Sequence, residues 1–275
     1  MASPYEDLDR PPLREASLAR GLVRPGGLWR EVRVVGETGS TNADLVAAAK
    51  AGATEGAVLV AEAQTAGRGR LGRKWSAAPR SGLTFSVLLR PAPAPAETWG
   101  WLPLIAGLSA ARAAQAVTEV LVRLKWPNDL LAPSGDKLGG VLSERSGDAV
   151  VVGLGLNVSA RAAELPGLAA TSLALAGAVT ADRDPLLRAV LRELADRYAG
   201  WRAAGGDAEA CGLRAAYAAT CATLGRAVRV ELPGGRTLRG EAVDVDQRGR
   251  LIVADAQGAH PVSAGDVIHV RPQDS

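Results

Sequence analysis

Gly67-Arg68-Gly69-Arg70-Leu71-Gly72-Arg73-Lys74-Trp75 is the stretch on which the fold assignment turns. Before it, Ala57 to Ala63 is an apolar strand pattern; after it, Leu83 to Leu89, with Thr84, Phe85 and Val87, resumes one. The loop therefore joins strand to strand, which argues against two phosphate-binding folds. A Walker loop needs Gly-x-x-x-x-Gly-Lys-Ser/Thr, which is absent. The spacing of Gly67, Gly69 and Gly72 imitates a dinucleotide fingerprint, but that motif opens a helix and does not carry bulky cations between its glycines. No acidic residue occurs between Ala63 and Ala96, so Arg68, Arg70, Arg73 and Lys74 form a local anion trap. Glycines let backbone N–H groups approach phosphate oxygens, and guanidinium forks give paired charge-assisted bonds. Taken alone, the loop suits a small-molecule phosphate or carboxylate site, a sequence-tolerant nucleic-acid patch, or a flexible surface loop.

Outward from the loop, strands and helices alternate, so the class is α/β or α+β. Val32-Arg33-Val34-Val35 reads as a strand, and Thr41 with Asp44 three residues on is a capping-box signal for a helix through Ala49, stopped at Gly52. Pro91-Ala92-Pro93-Ala94-Pro95-Ala96 is a stiff extended connector. Trp99 to Val120, rich in alanine and leucine, predicts a helix, followed by short strands around Val122 to Trp126, Val141 to Ser143 and Val150 to Leu156. Leu186, Leu187, Val190, Leu191, Leu194, Tyr198 and Trp201 recur at helical spacing, which assigns that tyrosine and tryptophan to the core. From Thr223 the texture changes to short alternating strands, Val228 to Leu232, Thr237 to Val245, Leu251 to Ala254 and Val267 to Val270. Turns at Pro233-Gly234-Gly235 and Gln247-Arg248-Gly249 separate them, predicting a small barrel. The expected organisation is a loosely ordered leader (1–27) with a short helical possibility near Leu13 to Leu22, a main domain (28–222) and a small C-terminal domain (223–275).

Composition narrows the function classes. The 275 residues are 47% apolar, enough for a sizeable core, and the net charge of +3 is too small for a protein that coats nucleic acid. Cys211, Cys221, His260 and His269 are too few and too scattered for a zinc site, so any metal should be oxygen-bound. No signal pattern opens the chain and no apolar run reaches the roughly 18 residues of a membrane span, which predicts a cytoplasmic protein with reduced thiols and no membrane contact.

Three further segments can carry chemistry. Lys125-Trp126-Pro127-Asn128-Asp129 ends a strand at a proline and projects an amide and a carboxylate from a constrained turn, suited to nucleotide and Mg²⁺ but also to an ordinary Asn-Asp turn. Lys137-Leu138-Gly139-Gly140-Val141-Leu142-Ser143-Glu144 starts with a lysine that is either solvated or aimed at a ligand. Gly153-Leu154-Gly155-Leu156-Asn157-Val158 is a buried strand with glycines where something comes close, and Asn157 could read an adenine edge or cap the next segment.

Together and in this order, Ser40-Thr41-Asn42, Gln64-Thr65-Ala66-Gly67-Arg68-Gly69-Arg70 and these three segments closely resemble the biotin protein ligase family, over roughly Trp29 to Arg271. The resemblance implies an α+β fold: a mixed sheet flanked by helices, like a class II aminoacyl-tRNA synthetase, with a C-terminal SH3-like barrel. It looks like the monofunctional class, since the leader is too short for an N-terminal DNA-binding domain, and so implies no sequence-specific DNA partner. It implies biotin, ATP and Mg²⁺ as ligands, formation of biotinyl-5'-AMP, and transfer to a lysine of the biotin carboxyl carrier domain of an acyl-CoA carboxylase (acetyl-CoA, propionyl-CoA or pyruvate), by a monomer or weak homodimer.

By the same resemblance, Ser40, Thr41, Asn42, Gln64, Gly67, Arg68, Gly69, Arg70, Lys137 and Gly139 bind biotin. Arg70, Arg73, Trp75, Lys125, Asn128, Asp129, Lys137 and Asn157 bind ATP and the adenylate, with Asn157 facing adenine and Trp75 stacking on it. Arg70, Lys137 and Asp129 are the catalytic candidates, Asp129 also serving Mg²⁺ and the incoming amine. Lipoate protein ligase shares fold and chemistry, but the Gly-Arg-Gly-Arg loop and Lys125 to Asp129 favour biotin. A nucleic-acid-binding module built on the basic loop is the rival from another class; it predicts steep salt dependence and no acyl-adenylate.

Overall fold

The structure is a computed structural model and describes residues 10–232, 235–263 and 265–269. A seven-stranded sheet forms the main domain: β1 (Glu31–Val35), β2 (Ala57–Ala61), β3 (Gly82–Leu89), β4 (Arg123–Lys125), β5 (Asp129–Leu131), β6 (Lys137–Ser146) and β7 (Ala149–Asn157). The spatial order is β1-β2-β3-β7-β6-β5-β4, parallel between β1 and β2 and antiparallel elsewhere, which is the expected mixed sheet.

Strand alternation assigns the two faces. Val58, Val60, Phe85, Val87, Val150 and Val152 join a large core with helices α1 (Glu15–Leu22), α3 (Trp101–Thr118), α4 (Arg183–Ala203) and α5 (Leu213–Thr220). Leu59, Leu88, Ala149 and Val151 face the other way and pack under Leu45 and Ala49 of the single helix α2 (Thr41–Lys50). On that second face β7 reads Ala149, Val151, Gly153, Gly155, so its side-chain bulk falls away to nothing and leaves an opening over the sheet.

The leader differs from expectation along its described part. α1 buries Leu18 and Leu22, the Leu13 N–H donates to Glu62 Oε1 at 2.6 Å, and Arg183, 4% exposed, donates to Pro11 O at 2.7 Å while pairing with Glu62. α1 falls within the short helix expected near Leu13 to Leu22, and what the sequence did not indicate is how firmly tertiary contacts hold it; residues 1–9 lie outside the described residues.

Two strands were not anticipated. β5 has three residues and occupies what reads as a turn, and β11 (Gly258–Val262) carries Pro261, tolerated because this strand is the sheet's edge. With β8 (Arg226–Glu231), β9 (Thr237–Val245), β10 (Leu251–Asp255) and β12 (Asp266–His269) it forms a five-stranded antiparallel sheet, β11-β10-β9-β8-β12. Among the described residues β11 and β12 do not pair, so the sheet is small and antiparallel but not a closed barrel. The anticipated Pro233-Gly234 turn and Val270 lie outside the described residues.

This sheet is tied to the main domain by indole hydrogen bonds, Trp126 Nε1 to Gly249 O and Trp101 Nε1 to Asp246 O, both 3.1 Å. Thr223 adds a third tie: its hydroxyl accepts from Trp126 N–H at 3.1 Å and meets His269 Nε2 at 3.1 Å. Among the described residues no helix is long and apolar enough to cross a membrane.

Candidate active site

The opening above Gly153 and Gly155 is a cavity of about 350 Å³, walled by the start of α2, the basic loop, β3, β7, β6, the Lys125 to Asp129 turn and Asp266 to Ile268 of the C-terminal sheet. Its two ends differ in chemistry.

At the polar end Ser40 is the N-cap of α2, its Oγ accepting from Ala43 N–H at 3.4 Å, one residue earlier than the capping-box reading of Thr41. Gln64, past the end of β2, accepts the Thr41 N–H on Oε1 at 2.8 Å. Asn42 is 4% exposed and donates to Glu144 Oε2 at 2.8 Å. Arg68 also donates to Glu144, at 3.3 Å.

The other end is cationic. Six lining residues are basic (Arg68, Arg70, Arg73, Lys74, Lys125 and Lys137) against two acidic ones, Asp129 and Asp266. Arg70 reaches Asn128 Oδ1 at 3.2 Å and Gly265 O at 3.4 Å; Arg73 pairs with Asp266. Lys137 Nζ lies 2.5 Å from Asp129 Oδ1, and Asn128 donates to Val141 O at 3.3 Å, which holds the turn against β6. Burial pulls the Lys125 ammonium below its ordinary pKa, partly offset by Asp129 and reinforced by Lys137 and Arg73. Burial likewise lowers the Arg70 guanidinium, offset by Asp129 and reinforced by Arg73. Both cations are partly desolvated and crowded by like charge, so an arriving anion replaces lost solvation.

The loop is folded over this end. Gly69 N–H donates to Arg73 O at 2.7 Å and Trp75 N–H to Gly67 O at 2.9 Å, while the tip turns through Leu71 at φ 55°. The Trp75 indole lies against β7: a Cβ on Gly155 would stand 2.4 Å from Trp75 Cε2. Its Nε1 is buried with no hydrogen-bond partner. The ring therefore offers an apolar face to whatever fills the space beside it, while its Nε1 is packed against β7 at Gly155.

Residues 38–157 match the family model described as the biotin/lipoate A/B protein ligase family, and residues 223–270 match the biotin protein ligase C terminal domain. The chain is also 46% identical over 266 residues to the biotin–[acetyl-CoA-carboxylase] ligase of Mycobacterium tuberculosis, covering 95% of this chain and 97% of that one. The chain belongs to the biotin protein ligase family. Its fold is similar to that of the biotin protein ligase from Aquifex aeolicus solved in complex with biotin and ATP, with a TM-score of 0.72, 29% identity, and coverage of 88% of this chain and 100% of that one. The Leishmania major ligase in complex with biotinyl-5-AMP matches at a TM-score of 0.59 and 28% identity, over 85% of this chain and 98% of that one.

Most residues expected to bind biotin or ATP converge on this one cavity: Ser40, Thr41, Asn42, Gln64, Arg68, Gly69, Arg70, Arg73, Trp75, Lys125, Asn128, Asp129 and Lys137 line it. Gly67, Gly139 and Asn157 do not. Asn157 is 5% exposed and donates to Thr171 O at 3.0 Å, so its amide secures the segment after β7 and does not look into the cavity. Sequence reasoning missed Ser86, Glu144 and Asp266. A serine inside the apolar run Leu83-Thr84-Phe85-Ser86-Val87-Leu88 was the available signal for the first; the other two depend on long-range packing.

Proposed function

We propose that this chain joins the biotin carboxylate to the α-phosphate of ATP, releasing pyrophosphate, and passes the biotinyl group to a lysine of a carboxylase biotin carrier domain. The observation that carries the reading is the polarity of this cavity, with side-chain hydrogen-bond donors and acceptors at one end and, at the other, cations that outnumber their acidic partners Asp129 and Asp266. A ureido ring fits the first end, and a carboxylate meeting a triphosphate fits the second. The two anions repel in water, and fixed cations remove that repulsion before the reaction begins.

In this assignment Ser40, Thr41, Asn42, Gln64 and Arg68 hold the ureido end, and Arg70 grips the biotin carboxylate and then the adenylate phosphate. Lys137 stands at the α-phosphorus, where the acyl-phosphate (mixed anhydride) bond forms as the bond from that phosphorus to the pyrophosphate oxygen breaks. Arg73 and Lys125 accompany the departing pyrophosphate. Magnesium enters as MgATP: Asp129 and Asn128 are one carboxylate and one amide, suited to a cation that takes most of its ligands from phosphates and water. In the second half-reaction the acceptor amine sheds a proton to attack the acyl carbon, AMP leaves, and Asp129 takes the proton.

The acceptor we favour is the carrier domain of acetyl-CoA carboxylase, the substrate in the name of the Mycobacterium tuberculosis relative, with propionyl-CoA or pyruvate carboxylase carriers as further acceptors. We place the reaction in the cytoplasm, where the free thiols of Cys211 and Cys221 stay reduced, carried out by a monomer or weak homodimer. The test is mass detection of biotinyl-AMP from biotin, ATP and Mg²⁺, beside a reaction with lipoate, followed by addition of carrier domain. Biotinyl-AMP and a biotinylated carrier are expected; adenylate from neither acid overturns the reading, and adenylate from lipoate alone reassigns the substrate.

A further inference from the structure

Behind the polar end, Glu144, Asn42, Ser86 and Thr41 form a line of hydrogen bonds crossing from β6 to α2 and β3. A carboxylate only accepts, so Asn42 must turn its Nδ2 to Glu144, at 2.8 Å, and that nitrogen's second hydrogen to Leu142 O, at 3.3 Å. The Asn42 carbonyl then faces Ser86, which is 0% exposed and lies 2.6 Å away. Oδ1 carries no proton, so the Ser86 hydroxyl supplies it. Thr41 has one hydroxyl proton and two acceptors in reach, Ser86 Oγ at 2.7 Å and Gln64 Oε1 at 3.1 Å. With Ser86 committed to Asn42, the Thr41 proton is spent within the wall, and towards the cavity Thr41 can only accept.

The same accounting fixes the neighbours. Gln64 Oε1 is held by the Thr41 N–H, leaving the Gln64 NH₂ as donor. Ser40 Oγ accepts the capping bond and keeps its proton. The wall therefore offers two donors and an acceptor to a cyclic urea, which has one carbonyl and two N–H groups. Turning the Asn42 amide over would set its carbonyl against the Glu144 carboxylate and its NH₂ against Ser86. The Ser86 proton would then point to Thr41, whose own proton would lose that acceptor and be left to Gln64 Oε1 or to the cavity, so Thr41 would no longer be fixed as an acceptor toward the urea N–H. Gly153 makes room for this amide: a Cβ there would stand 2.1 Å from Asn42 Oδ1.

We infer that Glu144 and Ser86 are positioning residues for the acid substrate, setting through Asn42 and Thr41 which wall atoms donate and which accept. The inference rests on the reading that this end of the cavity holds the ureido ring of biotin.

The experiment measures KM for biotin, KM for ATP and kcat in the adenylation step for wild type, Glu144→Ala, Glu144→Gln and Ser86→Ala, with melting curves for each. Glu144→Ala and Ser86→Ala should raise the biotin KM about tenfold, the scale of one disrupted buried hydrogen-bond link. The ATP KM and kcat should stay within about twofold of wild type. Glu144→Gln keeps an accepting oxygen for Asn42 and should return the biotin KM close to wild type, although its charge on Arg68 is gone. If Gln behaves like Ala, Glu144 acts through Arg68 and the inference is overturned; so too if the ATP KM rises in parallel or the biotin KM does not move. Should Ser86→Ala fail to fold, the partly exposed Glu144 pair still decides. A wild-type chain that makes no biotinyl-adenylate sinks the parent reading, an outcome separate from any ranking of the variants.

Discussion

Gly155→Ala tests the loop and the sheet against each other. The added methyl would stand 2.4, 2.6 and 2.8 Å from Trp75 Cε2, Cζ2 and Nε1. Carbon atoms pack at about 3.5–4.0 Å, so one side must retreat by roughly 1 Å. Gly155 is paired on both flanks, with Thr84 of β3 and Gly140 of β6, whereas Trp75 belongs to a loop held across its neck by two backbone hydrogen bonds. The loop should yield. Overpacking of this kind costs about 1–3 kcal/mol. Charged to the closed loop, that is roughly a 5- to 150-fold rise in the ATP KM at about 1.4 kcal/mol per tenfold. Melting should fall by only a few degrees, because the loop contributes little to the core. Adenylate formation at varied ATP is the assay, repeated in a Trp75→Ala background where the obstructing ring is gone. There the Gly155→Ala penalty should shrink to about twofold or less, as expected of two residues coupled by direct contact. An equal penalty in both backgrounds refutes the reasoning, as does a large loss of melting temperature with unchanged ATP dependence, which would mean that the sheet moved instead.

Arg70→Ala removes charge-assisted bonds worth about 3 kcal/mol together, so retention of the adenylate should weaken on the order of 100-fold. Free biotinyl-AMP and indiscriminate labelling of lysines on a bystander protein are the readouts; wild-type retention refutes the assignment. Arg183→Met strands the Glu62 carboxylate, whose side chain is 8% exposed, and loss of one partner of such a pair costs about 3–5 kcal/mol, a melting drop on the order of 10 °C. A drop under about 2 °C would show that the pair is dispensable. His269 is held neutral, its pKa pushed down to about 4 by burial and then by Lys125 and Arg226. The unfolded chain binds that proton near pH 6.5. Stability is therefore complete above about pH 6.5 and is lost as pH falls through about 4, by at most roughly 3 kcal/mol. His269→Gln should flatten this part of the melting-temperature profile between those limits, and an unchanged slope counts against it.

What could be read from the chain and what could not divide along physical lines. The strand-loop-strand setting of the basic loop was legible because two apolar runs bracket it, and α4 was legible because seven apolar positions keep helical period over about four turns. Most residues that line the cavity were legible as members of motifs rather than through their partners. The shortest elements were least legible: three-residue β5 was not anticipated, and eight-residue α1 gave only a helical possibility with no sign of how it packs. Asn157 illustrates a different failure. A polar residue ending a buried strand invites a ligand or a local cap, and only the packed segment near Thr171 decides between them. At Thr41 the cap pattern was real but displaced, since Ser40 accepts the capping N–H and Asp44 instead receives the hydroxyl of Thr38. Glu144 and Asp266 meet their partners across long sequence separations, and no local pattern encodes such meetings.

The cavity wall begins at Ser40 and ends at Ile268, and that span orders events at the ribosome. The polar end and the basic loop emerge early, but their floor is β7, and β3 cannot pair with β7 until the whole intervening helix and hairpin have been made. Closure over so long a stretch is intrinsically slow. Asp266, the partner of Arg73, comes later still. Until Glu144 and then Asp266 have been made, the nascent chain thus carries a cluster of arginines without these counter-charges. Ligand-binding competence arrives late and all at once, when the last strands dock.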